Sequence, residues 1–275
     1  GNRDAFLLRA QQTLGPPIEV ISGREEARLI YAGVAHLQPS ERTRLVIDIG
    51  GRSTEMILGR GDEPIKAESF AVGSVSLSMR FFGDGQMSAQ AFRAAQVAAG
   101  AELEEALQPF APDCWEEALG SSGTAGAVSQ LLVALGHADG AITPARLRKL
   151  IEHCVEAGHI DRVELPGLKP ERRPVIAGGL ALLYTFAAQF GIERLLPARG
   201  ALRQGVIVEL AERLAALRDP SRGDGAAPRG DRRDTTVRDI QRRFEADAAH
   251  AARVRSVALA LFEALVGDED SDAQD

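Results

Sequence analysis

The 275-residue chain is 45% hydrophobic and 26% charged, an ordinary globular composition with room for one large or two medium domains. Its formal net charge of −7 argues against a generic basic surface for nucleic acid, so a polyanionic ligand would need local basic groups or metal ions. Cys114 and Cys154 are the only cysteines, which excludes a disulfide scaffold and a cysteine-rich zinc site and suits a reducing, cytoplasmic compartment; no stretch reads as a membrane span or a signal peptide.

Residues 1–14 read as a short helix carrying Phe6, Leu7 and Leu14, stopped by Gly15-Pro16-Pro17. Ile18–Ile21 reads as a short strand. Ser22 with Glu25 three residues later is a capping box, opening a helix with Ala27, Ile30, Tyr31 and Val34 on one face. Glu25 thereby has a structural task. Glu26, on spacing alone, is a first-turn glutamate favoured by the helix dipole.

The stretch from Leu45 to Leu58 carries the chemistry. An apolar run is cut by an acid, two glycines and two hydroxyls, and then resumes, the pattern of a hairpin. Gly50 and Gly51 are expected to take backbone angles that aim successive N–H groups at one anion. Ser53 and Thr54 add hydroxyl donors. Asp48 ends a buried strand and Glu55 opens the returning one. Carboxylates beside a phosphate loop make sense when a divalent cation bridges the two. The plainer alternative is a tight hairpin with a stray surface acid.

Ile65–Val72 adds a strand, and Gly73–Ser76 reads as a loop. A helix from about Ala89 places Phe92, Ala95, Ala99, Leu103 and Leu107 at core spacing. A second glycine-hydroxyl loop, Gly120-Ser121-Ser122-Gly123-Thr124, precedes a helix over Val128–Leu135, with Thr124 as its N-cap. Helix N-termini attract anions, so two such loops point to a ligand with phosphates. Thr143-Pro144 starts a helix that buries Leu147, Leu150, Ile151, Cys154 and Val155. His153 and His159 have no partner at metal-ligand spacing and read as surface histidines. Leu165–Leu168 is a turn. Gly178-Gly179, inside an apolar helical run, marks close approach of another helix or a ligand. Ile192–Leu196 is a strand, and Gly200–Gly205 turns into an amphipathic helix reaching about Leu217. Residues 218–234 are a linker, 235–266 form one or two helices, and Asp268–Asp275 is an acidic, disordered tail.

With these stretches in hand, the chain resembles the exopolyphosphatase / guanosine pentaphosphate phosphatase family, within the actin, sugar-kinase and heat-shock-protein superfold. The resemblance rests on Ile18–Ile30, Asp48–Glu55, Gly120–Thr124, Leu165–Leu168, Pro174–Leu180 and Gly200–Gly205, in family order over residues 1–215. It implies an α/β fold: an actin-like (ribonuclease H-like) second lobe over 31–215, a remnant of the first lobe over 1–30, a linker over 216–234, and the start of a helical C-terminal domain over 235–275. It also implies hydrolysis of a terminal phosphoanhydride of inorganic polyphosphate or guanosine pentaphosphate, with Mg2+. Glu26 matches the family's catalytic glutamate, which orients or deprotonates the attacking water. Asp48 and Glu55 match its metal-associated carboxylates. Gly50, Gly51, Ser53 and Thr54 match a phosphate loop, as do Gly120, Ser121, Ser122, Gly123 and Thr124. Dimers are common in the family.

The chain departs from the pattern in three places. Arg52 stands where a third glycine is usual. The family's first phosphate loop, an Asp-x-Gly-Ser-Asn-Ser hairpin, is absent and is expected before residue 1. The C-terminal residues match only the opening helices of the family's helical domain. Two alternatives follow: a non-catalytic sensor of guanosine polyphosphates or polyphosphate, and an ATP-dependent kinase of the same superfold.

Overall fold

The computed structural model describes residues 2–218 and 247–269. They fall in two compact units, Gly1–Glu212 and Arg213–Asp275. The expected linker from residue 219, the expected helical residues 235–246 and the tail beyond 269 lie outside the described residues. In the second unit Ala248–Glu269 is helical, running past the expected end at 266 so that Asp268 and Glu269, expected to open a disordered tail, are helical instead, and Val254 and Val257 are exposed.

In chain order the first unit contains α1 (Arg3–Leu14), α2 (Gly23–Leu37), β1 (Thr43–Ile49), β2 (Thr54–Arg60) and β3 (Glu63–Phe70). Then come α3 (Ser74–Phe81), α4 (Ala89–Glu102), β4 (Glu117–Ser121) and α5 (Ser122–Ala134). Last are α6 (Pro144–Ala157), α7 (Ile176–Gln189) and β5 (Leu195–Pro197), with α8 (Leu202–Arg218) running across the boundary. The five strands form one sheet of order β3-β2-β1-β4-β5. β1–β2 and β2–β3 pair antiparallel; β1–β4 and β4–β5 pair parallel.

The alternation of strand side chains sorts the core into two layers. Leu45, Ile47, Ile49, Met56 and Leu58 face one way, into a cluster shared with α3 to α7. Val46, Ile57 and Leu119 face the other way and meet Ala27, Ile30, Tyr31 and Val34 of α2, the face expected from helical spacing. Burial of Ile30 and Val34 contributes about 1.5–3 kcal/mol each. α7 runs through the larger cluster. A Cβ at Gly178 would lie 2.6 Å from the Ser78 nitrogen, and one at Gly179 2.9 Å from the Thr124 methyl. The paired glycines therefore serve helix packing rather than a ligand.

Three local expectations are corrected. Ile18–Ile21 is not a strand: among the described residues it has no ladder partner, and β-propensity without pairing leaves the backbone bonds unmade. Gly73–Ser76 is not a loop but the start of α3, its Ser76 hydroxyl accepting from the Gly73 N–H at 3.1 Å. Thr124 is not the N-cap of α5. The strand-to-helix turn comes earlier, at Ser121, because Ser122 takes a left-handed backbone (φ 65°) and brings the chain directly into the helix.

Candidate active site

Strand register builds the acidic half of the site. Ser69, Glu55, Asp48 and Ser121 are successive lateral partners across β3, β2, β1 and β4, so their side chains rise from one face. It is the α2 face, because Asp48 and Glu55 stand two residues from Val46 and Ile57. The first turn of α2 lies over this row, with Gly23 against Ser69 and Glu26 within electrostatic reach of Asp48 and Glu55. Ser22 caps the helix as expected, accepting from the Glu25 N–H at 3.2 Å. The Glu25 carboxylate turns to Arg28, which also pairs with Glu209. Glu26 is thus the acid of the motif left for the site.

The three carboxylates are held in an environment that resists their charge. Asp48 and Glu55 are only 6% and 2% exposed, and Glu26 is half-buried. Burial pushes Glu55 up to about 7; the Ser69 and Ser53 hydroxyls offset part of this, and the charges of Glu26 and Asp48 add to it. Burial also raises Asp48, against the nearby Ser122 and Ser121 hydroxyls. Glu26 is raised by burial and then by Asp48. Among the described residues no Lys, Arg or His pairs with any of the three.

The other half of the site is rich in hydrogen-bond donors. In the β1–β2 turn the Gly50 N–H closes on the Ser53 carbonyl at 3.0 Å. The Gly50 carbonyl accepts from the N–H and hydroxyl of Ser74, and the Gly51 carbonyl from the Val75 and Ser76 N–H groups. The turn's carbonyls are thereby held against the start of α3. Among the described residues nothing accepts from the N–H groups of Gly51, Arg52 and Ser53. Neither Gly50 nor Gly51 has a positive φ. The space beside them is tight: a Cβ at Gly51 would sit 3.1 Å from the Val75 methyl, and one at Gly50 3.0 Å from the Ser53 carbonyl.

The hydroxyls expected as phosphate donors are largely engaged in holding the loops together. Thr54 is fully buried and donates to the Val72 carbonyl at 2.6 Å. Ser121 donates to Gly200, while Ser122 and Thr124 both donate to the Ile49 carbonyl at 2.9 Å. Gly120 lies inside β4, where Ala125 and Leu195 occupy the space a side chain would need. What remains toward a ligand is backbone: the first-turn N–H groups of α5, including Gly123, since those of α3 are taken by the Gly50 and Gly51 carbonyls. The N-terminus of α5 and a turn of unpaired N–H groups thus meet at the end of β1, next to Asp48.

One residue was missed by sequence reading. The Arg172 guanidinium lies over Gly123, in the space a Cβ there would take. It brings a cation to the N-terminus of α5, a placement that an anion between them would favour. The available signal was a pair of adjacent arginines in an acidic chain, just before the paired glycines. Arg52 is exposed at the turn. His153 and His159 make ordinary surface contacts to Glu164 and Asp161.

Carboxylates facing backbone N–H groups suit a phosphate with a bridging cation. Among the described residues no three His, Cys, Asp or Glu side chains gather closely enough to cage a metal. A pair of adjacent carboxylates is still the donor set that Mg2+ accepts, since it keeps several waters and completes its shell with substrate phosphate. Asp48 and Glu55, laterally paired, buried and without a cationic partner among the described residues, fit that description. A separate cavity of about 390 Å³, between α4, α6 and α7, includes none of these residues. No described helix is long and apolar enough to cross a membrane.

The chain is similar to the Aquifex aeolicus PPX-GPPA enzyme, at 23% identity over 76% of this chain and 70% of that one, with a TM-score of 0.62. It is similar to an exopolyphosphatase from Cytophaga hutchinsonii, at 20% identity over 76% and 70%, with a TM-score of 0.65. A third structure, of an exopolyphosphatase-like protein, aligns at 22% identity over 78% and 74%, with a TM-score of 0.66. These likenesses establish the fold as actin-like. The model of the Ppx/GppA phosphatase family matches residues 1–214, and on that match the chain belongs to the Ppx/GppA phosphatase family.

Proposed function

We propose that this site releases terminal orthophosphate from inorganic polyphosphate or from guanosine pentaphosphate. The observation that carries the reading is the placement of Glu26, Asp48 and Glu55 beside the N-terminus of α5 and the β1–β2 turn. A phosphoanhydride needs charge neutralisation and an in-line water more than a covalent nucleophile. Family membership supports phosphatase chemistry, and relatives named exopolyphosphatases support polyphosphate as the substrate class.

Glu26 orients the attacking water and takes its proton as the new P–O bond forms and the bridging P–O bond breaks. Its raised pKa suits that role, since a base works best when its pKa approaches the working pH. Asp48 and Glu55 would hold Mg2+, which would offset the charge of the transferred phosphoryl group. The N–H groups of Gly51, Arg52, Ser53 and the first turn of α5, with Arg172, hold the phosphate oxygens. The seryl and threonyl hydroxyls stitch these donors in place.

The test is phosphate release from polyphosphate and guanosine pentaphosphate in parallel, with Mg2+ and with EDTA. It is run on this chain and on a version extended at its N-terminus by an Asp-x-Gly-Ser-Asn-Ser hairpin segment. Release from either substrate that depends on Mg2+ supports the reading. Tight binding of either ligand with no release from either protein would replace it with the sensor.

A further inference from the structure

We propose that Ser69 is a positioning residue: its hydroxyl orients the Glu55 carboxylate, and its Cβ is the stop on which Gly23, and with it Glu26, is seated. The proposal rests on the hydrolytic reading above. Ser69 lies on the edge strand directly opposite Glu55 and donates to its Oε1 at 2.8 Å, which leaves Oε2 for other partners. A Cβ at Gly23 would lie 2.6 Å from the Ser69 Cβ and 2.7 Å from its Oγ. The hydroxyl can rotate away, but the Cβ is fixed by the strand.

Gly23 has no positive φ, so backbone strain does not require a glycine there. It occupies the first position of α2, where alanine is otherwise the better helix former. Ser69 is therefore the reason for the glycine. Beside it, at the sheet edge, Arg24 forks onto the Glu68 carboxylate at 3.1 Å in an exposed ion pair. Glu26 follows Gly23 by about one helical turn, so whatever sets the height of Gly23 over the sheet sets the distance from Glu26 to the Asp48–Glu55 pair.

The test is a cycle of Gly23→Ala, Ser69→Gly and the double variant, with Ser69→Ala and Glu26→Gln alongside. Melting temperature and the split of kcat from KM for polyphosphate are read in each. Gly23→Ala is expected to lower the melting temperature by about 3–8 °C through overpacking, and to lower kcat about a hundredfold by displacing Glu26. Ser69→Ala keeps the Cβ and loses only the hydrogen bond, lowering kcat about tenfold. KM stays unchanged in both, since neither residue touches phosphate. The double variant is expected to recover the melting temperature and kcat of Ser69→Gly alone.

Gly23→Ala that melts at or above the wild type, or a double variant whose losses multiply, overturns the proposal. So does Gly23→Ala with wild-type kcat while Glu26→Gln is inactive. Should Glu26→Gln remain active, the hydrolytic role of Glu26 fails, and the melting cycle still decides whether Ser69 seats Gly23. Should Gly23→Ala alone fail to fold, rescue of folding by Ser69→Gly supports the proposal, and failure of the double variant to fold while Ser69→Gly folds overturns it.

Discussion

Replacing Glu55 by Gln should make the protein more stable while removing its activity. The Glu55 carboxyl is raised from 4.5 to about 7, chiefly by burial, and its side chain is almost fully buried. A carboxyl whose folded pKa lies above its unfolded value binds its proton more tightly in the folded state. Its contribution is most favourable below about pH 4.5, declines as the pH rises from there to about 7, and is constant above. The interval corresponds to about 3 kcal/mol at most, and solvent at the edge of the row reduces this to about 1–3 kcal/mol. Glutamine keeps the size and still accepts from Ser69, so the charge is the main thing removed. Thermal denaturation in EDTA should then show Glu55→Gln melting about 3–8 °C above the wild type at pH 8, with the gap closing toward pH 5. Adding Mg2+ should raise the wild type and leave the variant nearly unmoved. A variant less stable than the wild type at pH 8, or a gap independent of pH, would show that the carboxylate row is not the strained, cation-deficient cluster described.

Two further substitutions probe the surroundings. Arg172→Ala is expected to raise KM for polyphosphate about tenfold with a smaller change in kcat, read in steady-state phosphate release. Arg44 is 1% exposed, donates to the Gln38 and Gly61 carbonyls and lies 5.7 Å from the Tyr31 ring centroid. Arg44→Ala strands the Gln38 carbonyl and removes the ion-pair partner of Glu117, and should cost about 3 kcal/mol in urea denaturation, with Arg44→Met losing less because it refills the space.

Much of the fold is legible in the sequence because its signals are local. The run from Leu45 to Leu58 shows both strands of the central hairpin, and the spacing of Ala27, Ile30, Tyr31 and Val34 shows the buried face of α2. Asp48 and Glu55 stand out as acids in apolar runs. What sequence mistook depends on partners distant in the chain. Ile18–Ile21 has strand composition but no neighbour to pair with among the described residues. Thr54 and Thr124 present the right chemistry for phosphate, yet their hydroxyls are used by the Val72 and Ile49 carbonyls. Glu26 reads on spacing as a helix-dipole residue. Only the packing of the first turn of α2 on the sheet, which sets it over Asp48 and Glu55, gives it a physical reason to be an acid in that place. Arg172 went unassigned because its contact with Gly123 joins two segments far apart in sequence.

The central claim is that Glu26 activates water at a phosphate held by the turn and by α5. The most direct measurement is phosphate release from polyphosphate by Glu26→Gln beside the wild type, in saturating Mg2+, with polyphosphate binding measured on both. The account predicts at least about a hundredfold loss of kcat with binding retained. A Glu26→Gln protein that releases phosphate at the wild-type rate would contradict it.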